Sequence, residues 1–189
     1  MIAPTKHSSQ EFLLLHKSSF RLSLHAAGIL LLVLLLIRAS ALPQLSSSYI
    51  GGFEGDGGLY IWLTQWNLSG LFSLPWFNTK AFYPYTRSLA WSDSYILPSL
   101  AAWPLVKLGA SLALAFNLII LIANFLNGFL TYRLAYALTG KQEAALFAGI
   151  SFMSLSSLTY NLGHPQLQFA FWLPLACHLF LMLLRAWSW

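Results

Sequence analysis

The chain has 189 residues, of which 58% are hydrophobic, 16% aromatic and only 8% charged, with a mean hydropathy of +0.66. Soluble domains carry about 25% charged residues, so most of this chain is matched to lipid, and its length allows a handful of spanning helices with little left for a soluble domain. The net charge of +5 comes from Lys and Arg scattered between apolar runs, which excludes a nucleic-acid-binding patch, and the single cysteine, Cys177, excludes an internal disulfide framework or thiolate metal cluster.

The first apolar run is LSLHAAGILLLVLLLI, residues 22–37, preceded by Lys6, Lys17 and Arg21. That order predicts a cytoplasmic N-terminus over residues 1–21 and a first transmembrane helix over 22–42 leading outward. A signal peptide is the competing reading, since ASA at 39–41 resembles a cleavage site; Arg38 before it and Pro43 after it weigh against cleavage. Both readings place the segment from Pro43 onward outside.

Residues 43–109 read as a long outer loop. It holds Glu54, Asp56 and Asp93 and is dense in Trp and Tyr, which favour the headgroup level of a bilayer. Within it, Leu59, Trp62, Leu63 and Trp66 recur at helical spacing, with Gly70 and Pro75 as stops, and predict a short interfacial helix starting just after Asp56. SDSYILPSLAAWPLVKLG, residues 92–109, is amphipathic, but Pro98 and Pro104 make it a short helix or a re-entrant lead-in.

Residues 110–189 are expected to supply three further transmembrane helices. The runs are 110–140, which loses its apolar character at Arg133, then 144–162 returning outward, an outer turn GHPQ at 163–166, and 169–186 going back in. The fold class expected is therefore all-α, a polytopic protein with about four spans and both termini inside. Arg133, Lys141 and Arg185 join Lys6, Lys17 and Arg21 on the inner side.

No P-loop, GxSxG, HExxH or CxxC occurs, and no internal repeat. The order of the first span, a Gly-rich acidic segment before an aromatic helix, then FYPYTRSLAWSDSYILPSLAAWPLVKLG, AFNLIILIANFLNGFLTYRLAYALTG and GHPQLQFAFWLPL resembles the N-terminal part of bacterial GT-C-type multi-pass membrane glycosyltransferases over residues 20–186. Members of that family are longer, so the resemblance implies an N-terminal module of about four spans, truncated or split from the rest. It also implies a place in the bacterial cytoplasmic membrane and transfer of a sugar from a polyprenyl-phosphate donor to a glycan, lipid or protein acceptor on the outer face. The partners implied are membrane lipid, the donor and the acceptor, with no nucleic acid. A non-catalytic subunit or carrier for a lipid-linked glycan is the alternative.

The family's first outer loop supplies an acid that acts as base toward the acceptor hydroxyl or helps bind a divalent metal ion, and Asp56 in EGDGG matches it. A carboxylate at the lipid–water boundary could accept a proton with a raised pKa, while neighbouring glycines would let a phosphate or sugar approach the backbone. The structural alternative is that Asp56 caps the helix starting at Gly57. Glu54 could pair with Asp56 or be a solvated loop charge; Asp93 could join the site or cap the next helix. Arg87 and Lys80 could bind the donor phosphate or snorkel to headgroups, and His164 could contact phosphate or sugar or be a plain polar turn residue. His25 and His178 read as buried, hydrogen-bonded histidines, and Asn117, Asn124 and Asn127 as polar glue on one helix face.

Overall fold

In the computed structural model, the described backbone covers residues 6–70, 77–79, 81–91 and 93–187, with side chains from residue 22 onward. Seven α-helices succeed one another among them: α1 (Lys6–Ile37), α2 (Gly57–Gly70), α3 (Ile96–Lys107), α4 (Leu112–Thr139), α5 (Gln142–Met153), α6 (Ser156–Tyr160) and α7 (Trp172–Trp187). No strand occurs among the described residues, so the all-α expectation holds.

Two helical segments are long and apolar enough to cross a membrane, the 28 residues of α4 and the 23 from Pro165 to Trp187. The expected first span differs in its bounds, because the chain is already helical at Lys6, well before residue 22, and the helix stops at Ile37 instead of continuing to residue 42. The run 144–162 also differs. It breaks after Met153, and the 12 residues of α5 reach only about 18 Å at 1.5 Å per residue, against a hydrocarbon core about 30 Å thick. Ser154, Ser156 and Ser157 sit at the break, where short hydroxyl side chains compete with helical hydrogen bonds.

The contacts divide the chain into two compact units. One comprises α1, residues 125–139 of α4, α5 and α7. On α1, Ala26, Leu30 and Leu34 lie on the i, i+4, i+8 row and are buried together with Tyr132, Ala145 and Met153. Gly128 and Gly149 let α4 and α5 touch backbone to backbone, since a methyl on Gly149 would lie 2.7 Å from the Gly128 carbonyl oxygen. The opposite faces are apolar and exposed, with Leu32 and Leu36 on α1 and Phe180 and Leu183 on α7. Such contiguous apolar surface suits lipid better than water. His25 is exposed and not buried as its apolar run suggested, because it lies on that outward face; His178 is half-buried with Nδ1 lacking a hydrogen-bond partner.

The other unit comprises residues 38–124 and 154–170. Its core gathers Tyr60, Ile61 and Leu63 of α2 with Leu89, Tyr95, Phe116 and Ile120. Here α2 packs against α3, where Asn67 donates to the Ser94 carbonyl at 2.8 Å and to Ser99 Oγ at 2.9 Å. The expected lipid-facing stripe on α2 is therefore split: Leu59 and Trp62 remain exposed, while Leu63 is buried and Trp66 packs against the core. The helix is apolar nearly all round, so one row of spacing could not decide which face meets protein.

Buried asparagines serve this unit as the sequence suggested, but by clamping loops. Asn117 accepts from the Ile50 amide at 2.8 Å and donates to the Leu45 and Ser48 carbonyls, fixing the segment after α1 against α4. Asn124 sits two turns further along the same helix and is equally buried, whereas Asn127 belongs to the first unit.

Candidate functional site

The glycine-rich segment before α2 owes its composition to backbone contact. Gly51, Gly52 and Gly55 all have positive φ, and a methyl on Gly51 would collide with the Leu162 carbonyl. Gly163 answers from the other stretch of chain: a methyl there would lie 2.9 Å from the Glu54 carbonyl oxygen. Gly51 and Gly163 lack a side chain so that residues 51–57 and 162–164 can lie against each other. The expectation that the glycines around Asp56 admit a ligand's phosphate or sugar is thus corrected at Gly51 and Gly57, where the neighbour is the chain itself.

That contact brings together residues 108 and 110 positions apart. His164 Nδ1 lies 2.9 Å from Asp56 Oδ2, and Gln166 Nε2 donates to the same oxygen at 3.0 Å. His164 precedes a 3₁₀ turn over Pro165–Gln168, in which Gln166 and Gln168 point to different partners. Both side chains of the pair are about two-fifths exposed, so the site is open on one side.

The hydrogen bonds from His164 and then Gln166 hold the Asp56 carboxyl below its ordinary pKa, against a smaller opposing effect of burial. This reverses the expectation of a raised value. Asp56 is therefore ionised at neutral pH and can only accept, which requires the proton of a neutral His164 to sit on Nδ1 and leaves the lone pair on Nε2. Among the described residues no hydrogen bond links this carboxylate to the first turn of α2, so Asp56 is not acting as its cap. Because the folded value is depressed, the linked stability is present above the ordinary carboxylate range and lost as pH falls through the folded value; exposure keeps it small. Replacing His164 by Ala is expected to move the Asp56 titration, tracked by carbon NMR of labelled aspartate, to higher pH.

Asp93 serves a neighbouring anchor. Its Oδ2 accepts from the Tyr60 hydroxyl at 2.8 Å and its Oδ1 from the Tyr95 amide at 3.1 Å, while Tyr95, in the left-handed region, is the residue that precedes α3. Asp93 therefore ties α2 to the entry of α3 and does not cap it. Burial, and then Asp93, push the Tyr60 phenol upward, so it stays a donor. Glu54 is exposed and contributes its backbone carbonyl to the contact with Gly163, with no bond to Asp56. Arg87 is exposed and held by its amide to Asn78 Oδ1 at 2.8 Å, with no bond to Asp56 or His164; Lys80 lies outside the described residues.

Sequence reasoning gave no role to Gln166, Tyr60 or Arg38. Arg38 is only 5% exposed, and its guanidinium donates from Nε at 3.2 Å and Nη2 at 2.7 Å to Asn124 Oδ1. The signal that could have found it was an arginine set directly at the end of an apolar helix.

The chain matches no family model, no curated protein and no solved structure. Function therefore rests on the geometry of this site and on the sequence motifs around it. Asp56 and His164 would offer a divalent ion two donors, and no group of three His, Cys, Asp or Glu side chains converges among the described residues. That donor set does not fit a metal seat by itself.

Proposed function

We propose that this chain is a module of a GT-C-like membrane glycosyltransferase in which the Asp56–His164 pair deprotonates the acceptor hydroxyl. The observation that supports the reading is the 2.9 Å contact between His164 Nδ1 and Asp56 Oδ2, made by two motifs of the family resemblance that lie far apart in sequence. Asp56 fixes the imidazole tautomer and steadies its protonated form; His164 Nε2 takes the proton. As the O–H bond breaks, the acceptor oxygen bonds to the anomeric carbon. The bond from that carbon to the phosphate oxygen breaks, and polyprenyl phosphate leaves with the electron pair. A carboxylate held below its ordinary pKa is a poor base but a good orienting anion, which assigns proton transfer to the histidine.

The same reading sets about four membrane crossings in the bacterial cytoplasmic membrane, the third made by α5 together with the broken stretch after it because α5 alone is too short, with the Asp56 side outside. In a Cys177→Ser background, a cysteine at Ser47 is expected to react with an impermeant thiol reagent added to intact cells, and one at Gln142 only after permeabilisation. Labelling of both from outside would overturn the orientation. The reaction itself is tested in membranes with radiolabelled polyprenyl-phosphate sugars, using this chain and a version extended by the downstream coding sequence. Transfer dependent on the chain supports the enzyme; binding of the donor without transfer in both versions would favour a carrier.

A further inference from the structure

We infer that Arg38, Asn124 and Gln168 form a directional hydrogen-bond chain that positions His164 against Asp56; the inference rests on the reading of that pair as the reacting site. The links are continuous. The Arg38 guanidinium donates to Asn124 Oδ1, Asn124 Nδ2 donates to Gln168 Oε1 at 3.1 Å, and Gln168 Nε2 donates to the Leu158 and Asn161 carbonyls at 3.1 Å each. The Asn161 carbonyl also accepts the His164 amide at 3.0 Å. All three side chains are more than nine-tenths buried.

The direction of this chain is imposed at its head. A guanidinium carries donors and no acceptor, so the oxygen of Asn124 must face it and the amide nitrogen must face Gln168. Gln168 then has to present its oxygen to Asn124 and its nitrogen to the two carbonyls. Reversing either amide would set donor against donor or oxygen against oxygen in a buried place, where unmet polar groups are most costly. The arginine thus removes the two-fold ambiguity of both amides, and the turn that carries His164 and Gln166 is held in one arrangement. This gives Arg38 a role that needs no carboxylate partner, and none bonds to it among the described residues. These are positioning residues, since they act through the backbone of the 161–168 turn.

Asn124→Asp separates positioning from mere stability. It preserves the Arg38 contact and adds an ion pair, but replaces the donor facing Gln168 by an acceptor. Gln168→Met, of similar volume, removes the second link without adding charge. Both variants are expected to keep wild-type helix content, to shift the Asp56 titration in carbon NMR upward toward the ordinary carboxylate range, and to lower transfer about tenfold or more. An unchanged Asp56 titration in a folded variant would overturn the inference. So would collapse of both variants, which would make the two residues supports of the fold. The titration does not depend on sugar transfer, so failure of the glycosyltransferase reading, seen as an inactive chain or an Asp56→Asn variant of full activity, is distinguishable from failure of the positioning chain.

Discussion

Replacing Asp56 by Asn is expected to lower sugar transfer at least about a hundredfold while leaving thermal unfolding nearly unchanged. The side chain keeps its size, and an amide oxygen can still accept one of the bonds now made by His164 and Gln166 to Oδ2. The charge that favours a protonated imidazole is lost, and an amide can face His164 with either its oxygen or its nitrogen, so the tautomer with Nε2 as acceptor is no longer enforced. Glu54→Gln should change transfer far less, because the Glu54 side chain makes no bond to the pair. Transfer rates in membranes, normalised to the amount of chain inserted, check both. Near wild-type transfer by Asp56→Asn would remove the carboxylate from the chemistry.

Gly51→Ala is expected to destabilise the unit that carries the site by more than about 3 kcal/mol and to abolish transfer. The new methyl would meet the backbone carbonyl of Leu162, which has no rotamer to change, and Gly51 has a φ of +86°. Gly52→Ala provides the comparison. Its φ is +67°, but nothing lies within 4 Å of the added methyl, so only the left-handed penalty of about 1–2 kcal/mol applies. Thermal unfolding in detergent, with each variant beside the parent, should rank them in that order. Equal effects would show that conformation alone, and not the approach of the 162–164 turn, selects glycine at Gly51.

Asp56 and Gly51 show how far the sequence could be read. The Gly-acid segment before an aromatic helix led to the place of the candidate site, and the start of α2 at Gly57 agrees with the residue that suggested it. The partner of Asp56 was harder to find. His164 and Gln166 lie more than a hundred residues away in a short turn, and nothing in their local spacing points to a carboxylate. The direction of the Asp56 pKa was misjudged for the same reason, since it depends on donors that only the fold delivers. Span limits were legible where breakers are strong, as at Gly140, which has positive φ and closes α4 with its amide on the Tyr136 carbonyl. They were not legible at Ser154, where weak competitors interrupt an apolar run.

The measurement that bears most directly on the Asp56–His164 pair is a double-mutant cycle on the transfer rate, with Asp56→Asn, His164→Gln and the combined variant in the same membranes. Two groups that act as one unit are strongly non-additive, so the combined variant is expected to transfer about as slowly as the slower single variant. Multiplication of the two single losses would show independent roles and contradict the assignment of the pair as one base.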